Sequence, residues 1–271
     1  MPSRLPAGRK RAARSSCLHP TIDLNADLGE GFGHSRLSED EALLDLVSSA
    51  NIACGFHAGD ATTMRDTVKA AASRGVAIGA HPSYPDIPGF GRRELGLSPK
   101  EIRFHVAYQL RAIRDVCGAE NAKLSHVKPH GALYNRAAKD SSVADAIVYA
   151  ICEVEPSLVL LGLAGSEMAR AAERGGLGFA AEAFADRAYK PDGSLVPRNE
   201  PGAVIHDVQT AVDRATMLVK SSTITADDGT TLGIVAQSLC VHGDNPDAAP
   251  MLRELRARLE NFGVRIAPFA A

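Results

Sequence analysis

No run of apolar residues in the chain approaches the ~20 needed to cross a bilayer, so a membrane-spanning helix is excluded and a soluble protein is expected. The cysteines (Cys17, Cys54, Cys117, Cys152 and Cys240) are odd in number, widely scattered and form no C-x-x-C pair. That excludes a disulfide framework and fits a reduced, cytoplasmic setting. Net charge is nearly absent at −2, so neither nucleic acid nor an anionic membrane is the expected partner. Missing too are a G-x-x-x-x-G-K-[ST] phosphate loop, a G-x-G-x-x-G following a strand and a G-x-S-x-G elbow. Nothing in the chain itself therefore signals ATP, dinucleotide or serine-hydrolase chemistry. Finally, residues 1–20 contain no acid, and Arg4, Arg9, Lys10, Arg11 and Arg14 give them +5 against −7 for the remainder. They also lack the apolar run of a secretory signal, so a disordered basic tail is expected there, with residues 21–271 forming one catalytic domain.

What is present is a rhythm. Short apolar or β-branched runs near 21–27, 50–56, 76–80, 123–129, 157–163, 177–184 and 232–241 read as strands, and most segments between them read as helices. Asp60 is expected to cap "ATTMRDTVKAAASRG", which Gly75 ends. Ser98, Pro99 and Glu101 form a helix start before "IRFHVAYQLRAIRDV", and Ser38 with Glu41 a second capping box. "SSVADAIVYAICEV", "SEMARAAERGG" and "HDVQTAVDRATMLVK" are further helices. Strand then helix, repeated seven times in 271 residues, predicts a parallel β/α barrel in a single domain, since such barrels run to about 250 residues. Asp228-Gly229 between β-branched runs predicts a hairpin just before the last strand.

In a parallel barrel, functional groups gather where strands end. "DLNADLGEGFG", "ACGFHAGD", "GAHPSYPDIPGFGRRE", "HVKPHGALYN", "EAFADRAYKPDG" and "CVHGDNP" each follow a predicted strand, and each sets a histidine or carboxylate beside glycine. Alternation along the fourth strand points His126, Lys128 and His130 together toward the barrel mouth, and Pro129 argues against a helical zinc pair. Asn25 and Asp27 share the interior face of the first strand. Asp27 and Glu30 either serve the site or close a turn with Gly29 and Gly31. His57, between glycines, is a site residue or a satisfied core histidine, and His81 before Pro82 serves the site or shapes a turn. Lys128 on an interior face needs a partner or a substrate anion. Glu182, Asp186 and Arg187 form a structural ion pair or join the site, and the same choice applies to His242 and Asp244. Asp60 reads as a cap; His19, His34, His105 and His206 read as surface or helix residues. A cluster of carboxylate, imidazole and lysine suits general acid–base or metal-assisted attack of water on a carbonyl.

Together with "SANIACGFHAGD" and "EAFADRAY", these motifs resemble the LamB/YcsF family of 5-oxoprolinase A subunits, in order, from about Thr21 to Pro268. The resemblance implies a distorted seven-stranded β/α barrel of the glycoside hydrolase/deacetylase type. It also implies ATP-dependent hydrolysis of 5-oxo-L-proline to L-glutamate with two partner subunits, B and C, ATP activation falling to those partners. On that footing Asp27 or His57 is expected as base or metal ligand. Lys128 and His130 are expected to stabilise the oxyanion and phosphate, and Glu182 or Asp186 to protonate the amide nitrogen. Asn25, Glu30, His81, Asn135, Arg187 and His242 are the substrate-binding candidates. Resemblance to deacetylase barrels makes Asp27, His57 and His130 candidate ligands of a divalent metal. Self-association as a homo-oligomer stays open. Two rivals remain: a metal-dependent amidohydrolase acting alone, and a non-catalytic lactam-binding component.

Overall fold

A computed structural model describes residues 20–31, 40–242 and 247–270. Residues 1–19, and with them the expected tail, lie outside it, as do Ser38, His34 and Asp244. The chain alternates β1 (Thr21–Leu28), α1 (Asp40–Leu44), β2 (Ser49–Ala53), α2 (Ala61–Ser73), β3 (Ala77–His81), α3 (Pro99–Ala119) and β4 (Leu124–Val127). It continues through α4 (Gly131–Ala137), α5 (Ser141–Val154), β5 (Val159–Leu163), α6 (Glu167–Gly175), β6 (Gly178–Phe184) and α7 (Val208–Ser221). The last elements are β7 (Thr223–Thr225), β8 (Thr231–Gly233), β9 (Ser238–Cys240), α8 (Ala248–Asn261) and β10 (Arg265–Ile266). Strands β1 to β6 pair in parallel in sequence order, and β9 pairs with both β6 and β1, closing a seven-stranded barrel. Among the described residues no helix is long and apolar enough to cross a membrane.

Local signals act where the sequence puts them. Asp60 accepts from Thr63 N at 2.7 Å and starts α2, while Ser98 and Glu101 complete a reciprocal capping box on α3. Helix α5 buries Val143, Ile147, Ile151 and Val154 on its inner side, each worth about 1.5–3 kcal/mol when fully removed from water. The predicted hairpin forms, β7 pairing antiparallel with β8 around Asp228-Gly229.

The reading of 232–241 as one strand needs correction. Residues 231–233 belong to the hairpin, and only Ser238–Cys240 closes the barrel. The hairpin turn sets the register of its β-branched residues locally, and the chain must then cross to a different neighbour. Helices α4 and α8 and the short β10 were not read from the sequence. β10 pairs with the first two residues of β1, and beyond it Phe269 reaches the His126 ring, 5.1 Å between centroids.

The barrel interior is polar. Along β1, Leu24, Ala26 and Leu28 join the apolar packing, while Asp23, Asn25 and Asp27 are buried with polar partners. At the base, Asp23 accepts from Ser48 Oγ (2.6 Å), Ser49 Oγ (2.7 Å) and Ser238 Oγ. One layer up, Asn25 donates to Glu182 (3.1 Å), and Asn51 donates to Asn25 (2.8 Å) and Asp27 (3.0 Å). His126 belongs to this layer, its Nε2 2.9 Å from Asn51 Oδ1. It shares a face with Lys128 but sits below the mouth, which corrects the expectation for it. Gly79 is required beside it, because a Cβ there would collide with the imidazole.

Candidate active site

The upper layer is built around Lys128. Backbone pairing continues past β4, with Lys128 N bonded to Ala80 O and His130 N to Pro82 O, and so carries both side chains to the rim. Lys128 Nζ lies 2.9 Å from Asp27 Oδ1, 2.9 Å from Glu182 Oε1 and 3.1 Å from Cys240 Sγ. Glu182 also accepts from Tyr134 OH at 2.8 Å. Burial disfavours the ammonium, but Asp27, Cys240 and Glu182 hold its pKa well above the ordinary lysine value. Burial likewise opposes ionisation of Asp27, yet His81 and Lys128 keep its carboxyl well below the usual range. The result is a buried Lys128–Asp27 ion pair at the centre of the layer.

Beside it stand Glu30, His57, His81 and His130, all buried. His57 Nε2 is 3.1 Å from Glu30, His130 Nδ1 is 2.9 Å from His81 Nε2, and the His57 and His130 rings stack at 3.9 Å. Desolvation pushes the pKa of both stacked rings well below the usual histidine value, so they are neutral and able to act as ligands. This group is able to hold a metal ion. It differs from the expected triad, since His57 and His130 meet Glu30 and His81, while Asp27 pairs with Lys128 through Oδ1 and reaches His81 Nε2 through Oδ2 at 3.3 Å. Gly91, at φ +64°, presses its backbone against both rings, and a Cβ there would lie 2.8 Å from His57 Cβ and 2.9 Å from His130 Cδ2.

On the opposite side Asp186 accepts from His242, with Nδ1 at 2.9 Å from Oδ1. Burial would raise the Asp186 carboxyl, but His242 keeps it lowered. The ring stacks on Phe184, centroids 5.2 Å apart, so its orientation is set from two directions. Of the two readings of Glu182, Asp186 and Arg187, the structural ion pair with Arg187 does not form. Glu182 pairs with Lys128, Asp186 with His242, and Arg187 donates to the carbonyls of Ala203 (3.1 Å) and Val196 (2.5 Å). It thereby pins the loop that leads from β6 to α7. Burial lowers its pKa to about 10, which leaves it charged at neutral pH.

A cavity of about 600 Å³ opens above these groups, lined among others by Asp27, Lys128, His130, Asn135, Arg187 and His242. Asn25 and Glu182 lie beneath its floor, and Asp186 lies behind His242. Sequence reasoning missed Tyr134, although it stands inside a quoted motif, and Arg92 and Arg198, which also line the cavity.

A barrel closed by seven parallel strands has known counterparts. A family model described as the LamB/YcsF family matches residues 22–271. The chain belongs to the LamB/YcsF family. Within LamB/YcsF, the A subunit of 5-oxoprolinase from Methylococcus capsulatus is 52% identical over 247 residues, 91% of this chain and 95% of that protein. The Geobacillus thermodenitrificans protein of the same name is 50% identical over 246 residues, 91% and 96% of the two chains. The crystal structure of the lactam utilization protein from Thermus thermophilus superimposes with a TM-score of 0.87 at 42% identity, covering 92% of this chain and all of that one.

Proposed function

We propose that this LamB/YcsF barrel opens the ring of 5-oxo-L-proline as the A component of an ATP-dependent 5-oxoprolinase, with two partner subunits, B and C, activating the lactam. The observation that carries the reading is the Lys128 cluster and the Asp186–His242 pair facing one cavity, in a chain half-identical to proteins named for that activity. A five-membered lactam is a stable amide, so coupling its hydrolysis to ATP is chemically reasonable, and the chain has no phosphate loop of its own. The cytoplasm, where the metabolite and ATP meet, is the matching compartment.

Hydrolysis adds a water oxygen to the ring carbonyl, breaks the C–N bond and delivers a proton to the departing nitrogen, which becomes the amine of glutamate. Lys128, fixed by two carboxylates, is the donor for the oxyanion that forms on the carbonyl oxygen. His242 moves the protons: with Nδ1–H donated to Asp186, its other nitrogen can take a proton from water and return it to the ring nitrogen. Asp186 is then a positioning residue. Asp27 and Glu182 hold Lys128 in place, and Arg187 with Asn135 offers donors to the substrate carboxylate.

The test is glutamate release from 5-oxoproline and ATP by this chain, by its two partners, and by all three together. Activity only in the full mixture supports the proposal. Release by this chain alone without ATP would replace it with a self-sufficient amidohydrolase, and inactivity in every mixture with competent partners would require another substrate.

A further inference from the structure

The histidine cluster can be read through its donors and acceptors. His130 Nε2 lies 2.9 Å from the Phe90 carbonyl, and His81 Nδ1 lies 2.7 Å from the Lys128 carbonyl. A carbonyl oxygen only accepts, so those nitrogens carry the ring protons. The remaining nitrogens, His130 Nδ1 and His81 Nε2, then present lone pairs to each other across 2.9 Å, with Asp27 Oδ2 a further 3.3 Å from the second. Glu30 Oε1 lies 3.5 Å from the first of them and 3.1 Å from His57 Nε2. One ligand atom from each of the four residues falls within 4.8 Å of the others. Two facing lone pairs require a positive species. A shared proton serves two atoms, whereas four converge here. His57 Nδ1, moreover, is buried with no hydrogen-bond partner, so the polar contact of that ring is the one its Nε2 makes with Glu30 inside the cluster.

We propose that Glu30, His57, His81 and His130 form a binding site for one divalent transition cation of the zinc type. Three imidazoles and a carboxylate are the donors such ions take, and a hard cation such as Mg²⁺ would want more oxygen. The carbonyls of Phe90 and Lys128 form an outer layer that fixes two of the rings with their lone pairs inward. Asp27 is a neighbour of this set and not a member: Lys128 holds its Oδ1, and its Oδ2 lies 3.3 Å from His81 Nε2. A second grouping, Asp27 with Cys240 and His242, is ruled out by the same ammonium, which already contacts both Asp27 and Cys240. The proposal goes beyond the ring-opening reading and is tested without turnover.

The full chain is stripped with a chelator, checked for cooperative unfolding, and titrated with Co²⁺ by calorimetry and visible absorption. One ion per chain, a ligand-field band of nitrogen and oxygen coordination, and displacement by Zn²⁺ are expected. His57→Gln, His81→Gln and Glu30→Gln should each weaken binding at least ~10–100-fold, more than loss of an outer-layer contact. Asp27→Asn should bind within a few-fold of the parent. Folded parent protein that takes up no Co²⁺ would overturn the proposal in favour of a shared proton. Uptake undiminished in the folded variants among the three, or Asp27→Asn binding as poorly as they do, would overturn the ligand set. Should one variant misfold, the other two decide.

Discussion

Three residues make separable predictions. Lys128 is the cation that Asp27 and Glu182 share beside the Cys240 thiol, so Lys128→Ala leaves two buried carboxylates without it. Breaking such a pair costs about 3–5 kcal/mol, to be read from urea unfolding, and loss of the oxyanion donor should cut kcat at least ~100-fold in the reconstituted assay. Asp186→Asn should keep the fold but lose control of the His242 tautomer. We expect kcat to fall about 10²–10⁴-fold with a smaller change in KM, and unchanged kcat would remove His242 from proton transfer. Asp23 tests the base of the barrel. Burial, only partly opposed by Ser238, Ser48 and Ser49, raises its pKa from 3.8 to about 6. Between those values the folded state holds a proton that the unfolded state has lost, so this contribution to stability is full below about pH 4 and declines as pH rises through 6. Its size is on the order of 3 kcal/mol, and Asp23→Asn should flatten that part of the stability–pH curve.

Elements differ in how far local sequence determines them. Helix α3 begins at a capping box written entirely in residues 98–101, and Ser98→Ala should cost about 1 kcal/mol in thermal or urea unfolding while leaving turnover unchanged. Helix α4 has no comparable signal. Its N-cap residue, His130, makes no side-chain cap, and its start is set instead by Ala132 N bonding to Gly91 O. That partner comes from the distant loop after β3, which explains why pattern reading passed over the helix. The last strand was misjudged for a related reason. Strand-favouring residues recur along 231–241, from Thr231, Ile234 and Val235 to Val241, but whether they pair with β7 or with β1 and β6 is a question of neighbours.

At the scale of the whole molecule the two ends of the barrel divide their work. The mouth holds the charged cluster, the histidines and the cavity, whereas the base is closed by β10 and by Phe269 against His126. A barrel of this kind places chemistry at the strand C-termini and stability at the other end. Phe269→Ala should therefore lower the unfolding free energy measured in urea, by no more than about 3 kcal/mol since the ring is only partly buried, and leave kcat unaltered. A large fall in kcat would show that base and mouth are coupled through Asn51 and Asn25.

The seven-strand rhythm, the caps of α2 and α3, the hairpin and the gathering of ionisable residues at strand ends were all legible in the sequence, because each depends on neighbours within a few positions along the chain. Asn25, Asp27, Lys128 and His242 could be named as candidates on that basis. Only the tertiary structure decided which of them pair. It turned Arg187 away from Asp186 and toward backbone carbonyls, set Asp186 behind His242, and joined Glu30 and His81 to His57 and His130 in place of Asp27. Those outcomes rest on contacts between segments from nine to about a hundred residues apart, where the fold selects the partner and no local pattern records the choice.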